Sequence, residues 1–130
     1  MIKVAAAFLI HNAKVLVARR KRPQQLAGKW EFPGGKIEAG ETPEACLTRE
    51  LNEEFGITVK VGKFLADSIH LHDRTAFHIL AYHTTWLSGR IVPVDHDKYA
   101  WVESRNLLKY DLLPADMELA EVLIEKGLYL

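Results

Sequence analysis

The sequence predicts an α+β domain in which helices pack on a mixed β-sheet. Three observations support this fold class: apolar runs typical of strands dominate the chain, two segments combine a helical pattern with start and stop signals, and no internal repeat or linker interrupts them. The chain has 130 residues, of which 48% are hydrophobic and 26% are charged, as expected for a single soluble domain spanning residues 1–130.

Strands are predicted where short runs rich in Val, Ile, Leu and Ala lie between turn signals. Asn12 marks one turn, and Asp73 with Arg74 marks another. The predicted strands are residues 2–10, 14–20, 57–72, 74–87 and 99–104, and residues 29–38 are expected to be extended chain broken at Pro33, Gly34 and Gly35.

Two helices are predicted. The first covers residues 43–55, because Thr42 is a suitable N-cap, Pro43 suits the first helical position and Gly56 lies just past the end. The second covers residues 114–127, "PADMELAEVLIEKG", and its last residue is a glycine that can act as the C-cap.

Composition and charge argue against several functional classes. Basic and acidic side chains number 17 each, so the formal net charge is zero, which disfavours non-specific binding to a nucleic-acid polymer. No apolar stretch approaches the roughly 18 residues of a membrane span, so no membrane partner is expected. The single cysteine, Cys46, can form no internal disulfide, and a cytoplasmic location is therefore predicted.

One segment carries a concentrated negative charge. Residues 34–57 contain six glutamates against one lysine and one arginine. On the predicted helix, Glu50, Glu53 and Glu54 share a face about 100° wide, where like charges repel. Mg²⁺ would relieve the repulsion, because it is held by a few carboxylates together with substrate phosphates. Acidic helix faces are usually only solvated, so the cluster alone does not establish a metal site.

The spacing of these residues is more informative than their charge. Gly35 is followed after five residues by Glu41, and after seven more by "RELNEEFGI", residues 49–57. This arrangement resembles the signature of the Nudix hydrolases at every specified position. Seven fixed residue types at average usage would coincide by chance about once in 10⁸ starting positions. The chain is therefore identified as a member of that family, which implies an α/β/α sandwich.

The resemblance also implies a chemistry and a set of roles. Nudix enzymes cleave a nucleoside diphosphate linked to another group, with Mg²⁺ as the cofactor and Mn²⁺ as a possible substitute. By resemblance, Glu50, Glu54 and the backbone carbonyl of Gly34 bind the metal, and Glu53 is a further ligand or the base that deprotonates the attacking water. Arg49 would orient these carboxylates together with Glu41. The implied catalytic residues are Arg49, Glu50 and Glu53, and the implied structural residues of the box are Gly35, Glu41 and Gly56.

The flanking sequence narrows the subfamily. Residues 28–44, "GKWEFPGGKIEAGETPE", resemble the MutT-type enzymes, which remove oxidised nucleoside triphosphates such as 8-oxo-dGTP by releasing pyrophosphate. The resemblance implies that an arginine on the second strand contacts phosphate, and that the residues just before the box border the base. The implied substrate-binding residues are Arg20, Gln25, Glu31, Phe32, Pro33, Gly34 and Asp116.

Asp116 departs from the MutT pattern. In "LLPADMEL" it occupies the place where MutT enzymes carry the asparagine that reads the oxidised guanine. An ionised carboxylate only accepts hydrogen bonds, so it would suit the amino group of cytosine, and the Pro-Ala-Asp version also resembles the CTP pyrophosphohydrolase branch. A protonated Asp116 would restore the preference for guanine. A purely structural role for Asp116, as N-cap of the last helix, is a third hypothesis.

A second departure lies in "PVDHDKYAW", residues 93–101. MutT relatives commonly place a glutamate here as a further metal ligand or base. The candidates in this chain are Asp95 and Asp97, and Asp95 aligns better. An exposed loop carboxylate is the alternative interpretation.

Several features bear on alternatives to this enzyme. The same fold could serve as a non-catalytic nucleotide-binding regulatory module, but the intact glutamates favour catalysis. ADP-ribose or dinucleotide hydrolysis is disfavoured by the MutT-like flanks, and the histidines lack the cysteines or helical spacing of a zinc site. A monomer or a homodimer is expected, because the last helix carries an apolar face for packing or dimerisation that consists of Leu119, Val122, Leu123 and Ile124.

Overall fold

The computed structural model describes residues 1–128 and shows a mixed β-sheet with one helix packed on each face. The helices are α1 (Pro43–Phe55) and α2 (Pro114–Lys126), and a 3₁₀ helix (Ser104–Lys109) precedes α2. The strands are β1 (Ile2–His11), β2 (Lys14–Arg20), β3 (Trp30–Glu31), β4 (Gly34–Lys36), β5 (Ile57–His72), β6 (Thr75–Gly89) and β7 (His96–Val102). The predicted α/β/α sandwich is confirmed.

The strand order places β1 at the centre of the sheet. The order is β3, β2, β1, β6, β5, with β4 also paired to β1 and β7 also paired to β2. The pairing of β1 with β6 is parallel, whereas the other pairings between these strands are antiparallel. The sheet is therefore mixed, as expected.

The central strand is buried on both faces, which explains its uninterrupted apolar sequence. Ala5, Ala7 and Leu9 pack in the core under α1, whereas Ala6 and Phe8 pack in the core under α2. All five are at most 4% exposed. Both helices therefore take their positions from the same strand.

The helix predicted for residues 43–55 is confirmed at both ends. The hydroxyl oxygen of Thr42 caps the N-terminus by accepting a backbone N–H at 3.1 Å, and Gly56 ends the helix at a φ of 73°. Leu47 and Leu51 are fully buried against the sheet. This packing determines which side of the helix carries the glutamates.

Three local predictions differ from the structure. The last strand begins at His96 rather than at residue 99, because residues 96–102 pair with β2, and it ends at Val102. Residues 104–109 form a 3₁₀ helix that was not predicted. The extended segment 29–38 is broken at Pro33 as predicted, but Gly34 and Gly35 belong to β4, which pairs with β1, and not to the break; β3 pairs with β2.

The N-cap hypothesis for Asp116 is wrong. Leu113 occupies the N-cap of α2, no side chain caps this end, and Pro114 is the first helical residue. Asp116 lies in the first turn, where its carboxyl oxygen Oδ2 accepts a hydrogen bond from the backbone N–H of Phe32 at 3.3 Å. Its side chain therefore bonds to another element of the fold and not to its own helix.

The apolar face of α2 serves mainly for packing. Leu119 and Leu123 are fully buried in the core, whereas Ile124 is 38% exposed. Within residues 1–128, no helix is both long and apolar enough to cross a membrane. Monomer or homodimer stays a prediction.

The close contact between β4 and β1 leads to a stability prediction for Gly34. A Cβ at this position, where φ is 154°, would lie 2.0 Å from the carbonyl oxygen of Ala5. We expect Gly34→Ala to lower the free energy of unfolding by about 3 kcal/mol or more, because two backbone segments would have to separate. Urea unfolding at equilibrium measures the change.

Gly40→Ala is the matched control for this prediction. Gly40 also has a positive φ, 79°, but an added Cβ there meets no atom within 4 Å. We expect a loss of only about 1 to 2 kcal/mol from the backbone conformation. Equal losses in the two variants would contradict the argument from contact with Ala5.

Candidate active site

Arg49 lies at the centre of the acidic face of α1. Its Nε and Nη2 atoms donate to the two carboxylate oxygens of Glu41 at 2.8 and 2.9 Å. Its Nη1 atom donates to Glu50 at 2.9 Å and to Glu53 at 3.4 Å. The hydrogen bonds from Arg49 lower the pKa of Glu41 to about 2. The structure thus brings together four of the residues that the sequence placed in one site.

Glu50 packs directly against the backbone of β4. A Cβ on Gly35 would lie 2.5 Å from the carboxyl carbon of Glu50, so a side chain here would displace that carboxylate from its place beside Arg49. Burial raises the pKa of Glu50, and the hydrogen bond from Arg49 opposes that shift. The box glycine therefore leaves room for the carboxylate of Glu50 beside it.

Cys46 lies beneath the same face of the helix and is fully buried. Its Sγ atom is 3.5 Å from the carbonyl oxygens of Gly35 and Lys36. Burial raises the pKa of this thiol to about 12, so it stays protonated and serves for packing.

Glu54, near the end of α1, lies next to Asp95. Asp95 belongs to the segment that precedes β7. The neighbouring carboxyl group of Asp95 is the main cause that raises the pKa of Glu54 to about 7, and burial adds to the shift. Asp97 instead accepts a hydrogen bond from Arg19 at 2.7 Å. The structure therefore places Asp95, and not Asp97, beside the acidic helix.

A cleft of about 640 Å³ runs along β3 and β4 and reaches α2. Its lining includes most of the residues that the sequence assigned to substrate. Pro33 is buried outside the lining, and its carbonyl oxygen accepts a hydrogen bond from Ala7 at 2.8 Å, so a direct contact of Pro33 with substrate has no support here. The predicted residues that line the cleft are Arg20, Gln25, Glu31, Phe32, Gly34 and Asp116.

Arg20 is held at one side of this cleft by two neighbours. Its Nε atom donates to the backbone carbonyl of Gln25 at 3.0 Å, and its Nη1 atom donates to both carboxylate oxygens of Glu31 at 3.2 and 3.1 Å. The structure therefore joins three of the predicted substrate residues. The guanidinium side of the cleft is suited to a phosphate.

Asp116 lies at the bottom of the cleft and is buried. Burial raises the pKa of its carboxyl group to about 8, and the nearby carboxylate of Glu31 adds to the shift. At neutral pH the group is therefore mostly a neutral acid, with one O–H donor and one free acceptor. The hypothesis of a protonated Asp116 agrees with this geometry.

The hairpin of β5 and β6 adds cleft residues that the sequence did not indicate as site residues. His70 and His72 line the cleft from β5, and Phe77, the cross-strand partner of His70, lines it from β6. The alternation of the two histidines showed that they share a strand face. Only the register with β6 shows that this face points to the cleft.

Comparisons with known proteins agree with this geometry. The family model for the NUDIX domain matches residues 1–123. This chain belongs to the Nudix hydrolase family. The Mycobacterium tuberculosis protein named "Putative 8-oxo-dGTP diphosphatase 2" is 43% identical over 116 residues, which cover 87% of this chain and 81% of the relative.

Two further similarities come from Escherichia coli. The CTP pyrophosphohydrolase of this organism is 36% identical over 121 residues, covering 93% of this Nudix hydrolase and 90% of the relative. The solution structure of its ORF135 protein matches with a TM-score of 0.88 at 35% identity, over 96% of this chain and 89% of that chain. The predicted MutT-like Nudix family, fold and hydrolase class are therefore confirmed.

The acidic residues of this Nudix hydrolase fit the divalent metals, such as Mg²⁺, that the family generally uses. Glu54 Oε2 is buried and receives no hydrogen bond from a nitrogen or hydroxyl donor among residues 1–128, so this oxygen is available to a cation. Across the same residues no three acidic, histidine or cysteine side chains already form a metal cluster. Arg49 bonds to Glu50 and Glu53, so a bound cation would compete with it for these oxygens.

The raised pKa of Glu54 predicts that metal binding releases a proton. Below about pH 7 Glu54 retains a proton beside Asp95, and a cation must displace that proton. We expect about 0.8 proton released per Mg²⁺ at about pH 6.5 and almost none at about pH 8.5. Isothermal titration calorimetry in buffers of different ionisation enthalpy measures this number.

Asp95→Asn provides the control for proton release. Without the second carboxylate, the pKa of Glu54 should fall towards its ordinary value, so that Mg²⁺ displaces little proton at about pH 6.5. Equal release at the two pH values in the unmodified protein would show that no proton is shared at this pair.

Proposed function

We propose that this Nudix hydrolase is a Mg²⁺-dependent nucleoside triphosphate pyrophosphohydrolase that acts on oxidised or non-standard nucleotides such as 8-oxo-dGTP. The products would be the nucleoside monophosphate and pyrophosphate, and the role would be nucleotide-pool sanitation. The observation that carries the proposal is a single cleft that joins the strand under Glu50 to a neutral, buried Asp116. A cytoplasmic location belongs to the same proposal.

The acids of α1 are proposed to hold the metal. Glu50, Glu54 and Asp95 would supply carboxylate oxygens, the carbonyl of Gly34 a further oxygen, and Mn²⁺ could replace Mg²⁺. When bound, the cation neutralises the charge of the polyphosphate and lowers the pKa of water.

The remaining polar residues of the site would bind and orient. Arg49, with Glu41, keeps Glu50 in position through hydrogen bonds of 2.8 to 2.9 Å. The side chain of Glu53 is 57% exposed and makes only the longer bond to Arg49, so it is the acid best able to accept a proton from the attacking water or to turn towards the metal. Arg20 would contact the polyphosphate.

Asp116 is proposed to read the base. A neutral carboxylic acid can donate its proton to O6 of 8-oxoguanine and accept a hydrogen bond from N7–H. Unmodified guanine has an acceptor at N7, so the second bond would be lost. This difference favours the oxidised base, and the name of the mycobacterial relative agrees with it.

CTP or 5-methyl-dCTP is the second candidate substrate. The neutral acid could equally donate to N3 of cytosine and accept from its amino group. The coverage of 90% of the Escherichia coli CTP pyrophosphohydrolase at 36% identity favours this alternative. A non-catalytic nucleotide-binding module is the alternative of another class, and the complete set of acids argues against it.

Turnover assays test the proposal directly. We expect Mg²⁺-dependent release of phosphate only when inorganic pyrophosphatase is added, with a higher kcat/KM for 8-oxo-dGTP than for dGTP. Parallel assays with CTP, 5-methyl-dCTP and ADP-ribose determine the substrate class. Nucleotide-induced thermal stabilisation without any product would support the non-catalytic module instead.

Substitutions on α1 separate chemistry from general charge effects. Glu53→Gln and Glu54→Gln should each lower kcat by about 10²- to 10⁴-fold, because they remove a base or a metal ligand. Glu44→Gln makes the same charge change on an exposed part of the same helix and should leave kcat unchanged. A similar effect in all three variants would contradict the assigned roles.

The pKa of Asp116 leads to a pH prediction. The neutral form is present below about pH 8 and is lost as the pH rises through that value. We expect kcat/KM for 8-oxo-dGTP at about pH 9 to fall about tenfold further in the unmodified protein than in Asp116→Asn, whose amide does not ionise. Comparing the two proteins cancels any titration of the nucleotide itself. Parallel pH profiles would show that Asp116 does not read the base as an acid.

A further inference from the structure

His96 connects the first residues of β7 to the wall of the cleft. Its Nε2 atom lies 2.8 Å from Oε2 of Glu31. A carboxylate only accepts hydrogen bonds, so Nε2 carries the proton and donates it. Glu31 also accepts from Arg20 at 3.2 and 3.1 Å, and Arg20 is the cross-strand partner of His96. One carboxylate thus joins the histidine to the arginine.

The other side of the imidazole ring contacts α1. The ring stacks on Phe55, the last residue of the helix, with ring centroids 5.3 Å apart and an interplanar angle of 21°. The backbone N–H groups of Val92 and Val94 donate to the carbonyls of Phe55 and Glu54, each at 2.9 Å. The segment that leads to His96 is therefore bound along the end of the acidic helix.

The position of the His96 ring is closely restricted. Its side chain is only 8% exposed, and Nδ1 is buried without a hydrogen-bond partner among residues 1–128. The bond from Nε2 to Glu31 is accordingly the only polar contact of the ring with these residues. Glu31 would lose one of its two partners if that bond were removed.

We propose that His96 is a positioning residue for Arg20. Because its ring stacks on Phe55 at the end of α1 while Nε2 bonds to Glu31, His96 would fix the arginine that binds phosphate relative to the acids that bind metal. This inference rests on the proposed function, in which Arg20 contacts the polyphosphate. The Nη2 atom of Arg20 donates to no residue in 1–128, and so it can reach a substrate oxygen without breaking the contacts that hold the side chain.

Loss of the His96 contact should change KM and not kcat. A displaced Arg20 weakens a charge-assisted contact that the bound substrate and the transition state share, so KM should rise while kcat stays nearly constant. The acids of α1 are not altered. A general disturbance of the active site would lower kcat as well.

Two amide substitutions at one position test the role. Asn places its amide nitrogen near the position of Nδ1 and cannot reach Glu31, whereas Gln places it near Nε2 and can donate to Glu31. We expect His96→Asn to raise KM for the preferred nucleotide about 10- to 100-fold, and His96→Gln to recover most of this loss. Thermal unfolding of each variant shows whether it is folded.

His78 offers a matched control. Its Nε2 atom lies 2.7 Å from Oδ2 of Asp67, which is the same type of pair on the β5–β6 hairpin and outside the lining of the cleft. We expect His78→Asn to leave KM unchanged. Equal KM values for His96→Asn and His78→Asn, or a loss confined to kcat, would overturn the proposal.

A double-mutant cycle and a spectroscopic measurement complete the test. Glu31→Gln alone should raise KM, and adding His96→Asn to it should have little further effect, because both break one connection.

Nitrogen NMR of the imidazole should show the proton on Nε2, and Glu31→Gln should weaken that preference. Absence of turnover in the unmodified protein would refute the proposed function, whereas a proton on Nδ1 would refute the connection itself.

Discussion

The hydrogen bonds of Arg49 are the interaction on which the acidic site depends. Several carboxylates close together would repel one another, and a helix that carried them without compensation would be destabilised. Arg49 donates two hydrogen bonds to Glu41 and a third to Glu50. Charge-assisted bonds of this kind favour the ionised carboxylates and offset the repulsion between like charges on one helix face. The site can therefore exist before a cation arrives.

Glu54 lies outside this network and is compensated differently. It bonds to no arginine or lysine among residues 1–128, and its neighbour is another acid, Asp95, so the pKa of Glu54 is raised to about 7. One part of the acidic face is thus balanced by a guanidinium and another part by a proton. The proton is the more easily displaced of the two, so under the proposed function a cation would bind first at Glu54 and Asp95.

Residues 31–36 connect Glu50, on the side of the proposed metal site, to Asp116, on the side proposed to read the base. Phe32 packs in the core under α2, and its N–H group bonds to Asp116, whereas Gly35 lies against Glu50 under α1. Residues 31–36 therefore pass from one layer of the sandwich to the other. A nucleotide in the cleft would meet both layers along this segment.

The sequence predicts some features of the site and leaves others to the structure, for physical reasons. The limits of α1 follow from local signals at Thr42, Pro43 and Gly56, and the spacing of the box places the acids on one helical face. The burial of Asp116 could not be inferred, because it depends on long-range packing that brings the start of α2 against the backbone of Phe32. The same holds for the histidines of the hairpin, since their orientation depends on the register between β5 and β6.

The start of β7 illustrates the same limit. "DHDK" has the composition of a polar loop, and pairing with β2 overrides that local preference. Only this pairing brings His96 opposite Arg20. Long-range strand pairing therefore determines how His96 connects Arg20 to the end of α1.

The buried thiol of Cys46 has a consequence for the conditions under which the protein can work. Peroxides and related oxidants attack the thiolate form of cysteine, and a group with a pKa of about 12 that is shielded from solvent presents almost none. An enzyme that clears damaged nucleotides would be needed most during oxidative stress. The only sulfhydryl group of this chain is the kind that such stress leaves intact.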